Sequence, residues 1–209
     1  MHTIHLAVYD TLADWEYGYA AAGINNPEFQ RTPGEFRIVT VAETSEPITT
    51  MGGIRIVPDL TLADVDPADS AMLILPGAQT WETQNTAFAE AARRWADAGV
   101  PVAAICGGTV GLARAGLLDD RAHTGNAAEE LAATGYAGGD HYVDAAAVTD
   151  RGVITAGAIA PVDFAREIFG ALDLYAPPVL DAWYRLYHDQ DPSGFYALVE
   201  STGDESTDA

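Results

Sequence analysis

Residues 100–115 read Val100-Pro-Val-Ala-Ala-Ile-Cys-Gly-Gly-Thr-Val-Gly-Leu-Ala-Arg-Ala115. The opening residues form a short apolar run of strand character, and the closing ones have helical character. Between them stands Cys106, the only cysteine of the chain, followed at once by Gly107 and Gly108. A strand, a thiol on a tight bend and a helix start form the nucleophile-elbow arrangement, with Cys in place of the hydrolase Ser. Helix-end amides and the helix dipole favour a thiolate there, the reactive form of cysteine. A lone Cys can equally be an inert small hydrophobe. The glycines after it favour the reactive reading, because a packing residue needs no close backbone approach. Cys106 is therefore expected to be ionised at neutral pH.

On either side of this element, strand-like and helix-like segments alternate, which predicts an α/β fold with a mostly parallel sheet. Expected strands are Thr3–Tyr9, Phe36–Val41, Ile54–Val57, Ala71–Leu75, Pro101–Ile105, Ala145–Thr149 and Gly152–Ala156, the last two joined by a hairpin turn at Asp150-Arg151-Gly152. Expected helices are Asp14–Gly23, Thr80–Ala98, Gly107–Ala115, Ala127–Thr134, Pro161–Leu172 and Val179–His188. In the second, Trp81, Phe88, Ala92 and Trp95 fall close to one apolar stripe. Asp14 suits the N-cap of the first helix, and Pro161 the start of its own. Thr61–Asp69 reads as a connector. The aromatics Trp183, Tyr184, Tyr187, Phe195 and Tyr196 either pack a terminal helix onto the body or form a subunit interface. Residues 1–200 are expected to form one domain, and 201–209 an acidic, disordered tail.

The 209 residues are enough for a sizeable core. No apolar run approaches the roughly 20 residues needed to span a bilayer. The start reads as a first strand and not as a signal peptide. One cysteine allows no disulfide within the chain and fits a reducing cytoplasm. The charge is extreme: 31 acidic residues face 10 basic ones, a formal −21, and all the basic residues are Arg. Such a surface repels nucleic acid and anionic membranes, so neither is an expected partner. Its self-repulsion is tolerable in high salt, which points to a halophile's cytoplasm; an ordinary acidic protein is the alternative.

In an open α/β sheet, ligands bind beyond the carboxyl ends of the strands. Three features should meet there. The first is Cys106. The second is Pro76-Gly77-Ala78 after strand Ala71–Leu75: either an ordinary turn, or one whose Ala78 amide joins that of Gly107 as an oxyanion hole. The third is Glu16, either an exposed first-turn acid or a buried one whose raised pKa lets it shuttle a proton. His123 and His141 are the candidate histidines to serve the thiol, against structural or solvent-facing roles for each; His2, His5 and His188 are peripheral. No spacing resembles a metal site, and Gly107-Gly108-Thr109 lacks the Lys and spacing of a phosphate loop. No cofactor is expected.

These pieces together resemble the ThiJ/PfpI (DJ-1/PfpI) superfamily, of the class I glutamine-amidotransferase-like fold. The resemblance is carried by Asp14-Trp15-Glu16, Leu73-Ile-Leu-Pro-Gly77, Ala104-Ile-Cys-Gly-Gly108, Ala115-Gly-Leu-Leu118 with Arg121 and Thr124, Ile154-Thr-Ala-Gly157 and Phe164-Ala-Arg-Glu167, across roughly residues 3–172. It implies a flavodoxin-like three-layer α/β/α sandwich with a mostly parallel central sheet. It further implies a homodimer, Cys106 as nucleophile with Glu16 on its sulfur, and the Ala78 and Gly107 amides as oxyanion hole. Family activities include glyoxalase-type hydration of 2-oxoaldehydes, deglycation, peptidase or amidase chemistry, chaperone function and oxidative-stress sensing.

Departures narrow these. Peptidase-like members carry His directly after the nucleophile, where this chain has Gly107. Members with a further His some twenty residues downstream are matched here by Thr124-Gly125-Asn126, and Asn126 can orient a substrate oxygen but not shuttle a proton. Tyr187-His188-Asp189 does not match the His-x-Glu pair of glutamine amidotransferases. The expected function is therefore a cysteine-dependent, glyoxalase- or hydrolase-like enzyme for small carbonyl substrates. The alternative is a redox-responsive protein that senses peroxide through the same thiol.

Overall fold

Two runs that are apolar at every position, Met-Leu-Ile-Leu and Val-Ala-Ala-Ile, become strands β6 (Met72–Leu75) and β7 (Val102–Ile105), buried along their whole length. Burial on both faces is the signature of inner parallel strands. In the computed structural model, which describes residues 1–203, they lie at the centre of a seven-stranded sheet. The others are β1 (His2–Ala7), β2 (Phe36–Ala42), β5 (Leu60–Thr61), β8 (Ala147–Asp150) and β9 (Val153–Ala156), in the order β5-β2-β1-β6-β7-β9-β8. All neighbours are parallel except β8 and β9, an antiparallel hairpin. Its turn residues, Arg151 and Gly152, both have positive φ (45° and 78°), as a tight two-residue hairpin requires.

Helices cover both faces. One face carries α1 (Asp14–Asn25) and α5 (Pro161–Ala171), with α6 (Pro177–Tyr187) and α7 (Ser193–Gly203) stacked beyond them. The other carries α2 (Thr86–Asp97) and α3 (Gly107–Arg114), with the short α4 (Ala128–Ala132) against α3. This is the expected α/β/α sandwich. From β1 the chain first moves outward to β2 and only later returns to β6 on the other side. The crevice between β1 and β6 is therefore the topological switch point where such sheets bind ligands. Glu16 follows β1, Gly77 follows β6 and Cys106 follows β7, all at the carboxyl edge.

Several local expectations are corrected. The helix expected over Thr80–Ala98 is broken: a 3-10 turn (Gln79–Glu82) precedes α2, with Asn85 at φ 62° between them. Asn tolerates that left-handed conformation, and Asn85 Nδ2 donates to Thr80 Oγ1 at 2.8 Å. Trp81 thereby leaves the stripe that Phe88, Ala92 and Trp95 form. The strand expected at Ile54–Val57 is not in the main sheet. Only β4 (Arg55–Ile56) forms, pairing antiparallel with β3 (Ile48–Thr49) around a turn with Gly53 at φ 82°. Asp14 does not cap α1: Ala13 holds the N-cap position, and the Asp14 carboxylate accepts from the Gly52 amide at 2.7 Å in that hairpin. Helix α7 was not expected. It carries the chain through Gly203, so residues 201–203 of the expected tail are helical, and 204–209 lie outside the described residues. Of the late aromatics, Trp183 is buried edge-on against Phe169, while Phe195 and Tyr196 stay exposed on α7.

Candidate active site

Cys106 occupies the bend between β7 and α3 with φ 56° and ψ −127°, a conformation that L-residues rarely adopt and that surrounding structure must enforce. The enforcement is visible in the glycines around it. A Cβ on Gly108 would lie 2.2 Å from the Leu75 carbonyl oxygen, so α3 can approach β6 only through a glycine. A Cβ on Gly77 would lie 2.7 Å from both Cys106 Cβ and Glu16 Oε2, and 2.8 Å from the Cys106 sulfur. Gly77 thus leaves room for acid and thiol on either side of one backbone position.

Glu16 turns inward. It is fully buried, and its Oε2 accepts from the Gly77 amide at 2.5 Å. Its other oxygen, Oε1, is buried with no partner among the described residues. Burial pushes its carboxyl up to about 7, against the opposing pulls of the Gly77 amide and the Cys106 thiol. The thiol is pushed up to about 11, first by burial and then by the Glu16 charge; Asn126 and the Gly107 amide pull the other way. Together the two groups take up protons as a pair, keeping one between them from about pH 7 to about pH 11. This corrects the expectation of a resting thiolate. The dipole of α3 and the Gly107 amide act as anticipated, but a buried acid of like charge shares the site and outweighs them.

Asn126 reaches the sulfur: its Nδ2 lies 3.5 Å from Sγ, and its Oδ1 accepts from the Ala158 amide at 2.9 Å. Ala78 and Gly107 both line the cleft over Cys106, and the Ala78 amide donates to no acceptor among the described residues. The histidines do not join them. His123 is buried with its ring nitrogens on the Arg121 carbonyl (2.8 Å) and the Tyr136 hydroxyl (2.9 Å), between the rings of Tyr136 and Tyr142. His141 is exposed in the turn Gly139–His141, and its carbonyl accepts from the His123 amide. Neither lines the cleft; the Gly-rich loop that carries His141 packs beside His123 and not over the thiol.

The cleft measures about 480 Å³. Its further walls include Trp15, Met51, Trp81 and Val110, none of which the sequence reading placed at the site. Trp81 also locks the turn after β6: its Nε1 donates to the Pro76 carbonyl at 2.9 Å, where the Tyr9 hydroxyl donates as well. No cluster of acidic, His or Cys side chains among the described residues is arranged to hold a metal ion, and no helix among them is long and apolar enough to cross a membrane.

The DJ-1/PfpI family model matches residues 2–171. The chain belongs to the DJ-1/PfpI family. Among relatives of known sequence, a Bacillus subtilis protein named "Uncharacterized protease YoaZ" is 37% identical over 95% of this chain and 96% of its own length. A solved thiJ/pfpI family protein from Bacillus anthracis superposes with a TM-score of 0.90 at 38% identity, covering 96% of this chain and 98% of that one. A DJ-1 superfamily protein from Agrobacterium tumefaciens gives 0.81 at 34% identity, covering 91% and 100%. The match covers nearly the same residues as the resemblance read from the sequence, roughly 3–172.

Proposed function

We propose that this DJ-1/PfpI protein is a cysteine-dependent enzyme acting on small carbonyl compounds, 2-oxoaldehydes first among them. The observation that carries the reading is the buried Glu16 carboxyl, held on the Gly77 amide beside the Cys106 sulfur in a cleft that no histidine among the described residues lines. At neutral pH the thiol keeps the shared proton, and the Glu16 carboxylate takes it as the sulfur attacks the aldehyde carbon. The Ala78 and Gly107 amides support the oxygen that becomes negative. Glu16 then protonates that oxygen to give a hemithioacetal. As a carboxylate it removes the proton from C1 and returns one at C2, oxidising the first carbon and reducing the second. The resulting thioester is hydrolysed by water to a 2-hydroxy acid, which restores the thiol. Asn126, anchored on Ala158, orients the second carbonyl in this reading.

The Bacillus subtilis relative's name points to proteolysis. Peptide cleavage needs a proton delivered to an amine leaving group, and the cleft offers no imidazole for it. Peroxide sensing would use the same sulfur, but it leaves the cleft and the unpaired Ala78 amide without a role. The test is production of lactate from methylglyoxal by wild type, Cys106→Ala and Glu16→Gln. Wild type is expected to exceed both variants at least 100-fold; equal, negligible production by all three would remove the reading.

A further inference from the structure

We infer that the cleft selects carbonyl compounds carrying an uncharged, aromatic-sized apolar group, which seats between Trp15 and Met51. For turnover the inference rests on the proposed carbonyl chemistry at Cys106, which it narrows. A three-carbon 2-oxoaldehyde leaves most of a cleft of about 480 Å³ empty; sites of roughly 300–1,000 Å³ take much larger ligands.

Two wall residues are large, apolar and half exposed: Trp15 is 52% and Met51 43% exposed. The Trp15 ring and the Met51 backbone are tied down. Trp15 Nε1 donates to the Ala158 carbonyl at 3.4 Å, next to the amide that anchors Asn126. Met51 sits in the turn between β3 and β4, and its amide donates to the Leu12 carbonyl at 2.8 Å. The same hairpin is tied to the start of α1 by Gly52 N to Asp14 Oδ2 (2.7 Å) and to Asp10 through Thr49 N (2.8 Å). Preorganised apolar walls are what a site needs to bind an apolar group without first ordering itself. Val110, at 7% exposure, faces the same space from α3.

The charges in the cleft argue against an anionic group. Glu82 and Glu130 line it beside the Glu16–Cys106 pair. Among the described residues that line it, the one cation, Arg114, is already committed: Nη1 donates to the Trp81 carbonyl, and Nη2 lies 3.3 Å from that of Glu82. A carboxylate entering the cleft meets Glu82, Glu130 and the Glu16 carboxyl, and a guanidinium that is already bonded.

Binding is measured by calorimetry on the Cys106→Ala protein, so that it does not depend on turnover. The probes are phenylacetamide, acetamide and phenylacetate. The expected order places phenylacetamide at least tenfold tighter than either of the others. Trp15→Ala or Met51→Ala, added singly, is expected to remove most of that advantage; both side chains are half exposed, so truncation leaves the core intact. Equal affinities for the three probes, or a preference that survives both truncations, overturns the inference. In parallel, wild-type turnover of phenylglyoxal to mandelate is expected to exceed that of methylglyoxal and of 4-carboxyphenylglyoxal in kcat/KM by tenfold or more. A ratio of one or below also overturns it. If no oxoaldehyde is turned over, the carbonyl chemistry fails while the binding order still decides the inference.

Discussion

Glu16→Gln should make this protein more stable and less active at once. Gln keeps an acceptor for the Gly77 amide and removes the charge. In the wild type the Glu16 carboxyl rises from 4.5 to about 7 on folding, chiefly through burial. Between those values the native state holds a proton that the unfolded chain has released, so stability falls as pH rises through that window and stays low above it. The shift is worth up to roughly 3 kcal/mol at about 1.4 kcal/mol per unit. Glu16→Gln is therefore expected to exceed the wild type in urea-unfolding stability by up to about 3 kcal/mol near pH 8, with the gap closing below about pH 4.5. Turnover is expected to fall by roughly 10²–10⁴-fold, the usual loss when a general acid–base group is removed. Alkylation of Cys106 should move the opposite way. Without the neighbouring charge the thiol drops, so iodoacetamide labels it faster at neutral pH. A variant that is less stable than wild type at pH 8, or labelled no faster, would refute the reasoning about this pair.

Other substitutions separate the parts of the site. Gly77→Ala would place a Cβ 2.7 Å from both the thiol carbon and the acid, and is expected to abolish lactate formation and to slow alkylation in a folded protein checked by circular dichroism. Gly108→Ala drives a Cβ against the Leu75 carbonyl; a loss of roughly 1–3 kcal/mol or more in urea unfolding is expected despite the better helix propensity of Ala. Asn126→Ala removes the donor on the sulfur, so the thiol rises further and labelling at neutral pH slows several-fold, opposite to Glu16→Gln. The −21 charge predicts a thermal midpoint that climbs as KCl goes from about 0.1 to about 1 M, which shortens the Debye length from roughly 10 to 3 Å; a flat response in a scan at both salts would contradict a high-salt origin.

The central strands were readable because burial on both faces leaves an unbroken apolar run, as in Met72–Leu75 and Val102–Ile105. Cys106 was readable because the glycines after it announce a close approach, which Gly108 against Leu75 bears out. Glu16 was not settled: a first-turn acid looks the same whether it faces water or the thiol. What turns it inward is the amide of Gly77, 61 residues away. The thiol's proton affinity was misread for the same reason, since its helix is local and the Glu16 charge is not. The broken helix before α2 did carry a local signal, an Asn able to adopt positive φ, as did the β3–β4 hairpin in Gly52-Gly53. That Met51 and Trp81 end at the cleft is a product of topology alone. The histidines failed as candidates because the loop's composition says nothing of the side on which it packs.

The most direct test of the account is the rate of Cys106 alkylation in wild-type protein across pH. The chain has one cysteine, so mass spectrometry reads it without interference. The Glu16–Cys106 pair predicts a profile in two steps, with apparent values near 7 and 11. A single step at the value of an ordinary exposed thiol, unchanged in Glu16→Gln, would show that the acid and the sulfur do not share a proton.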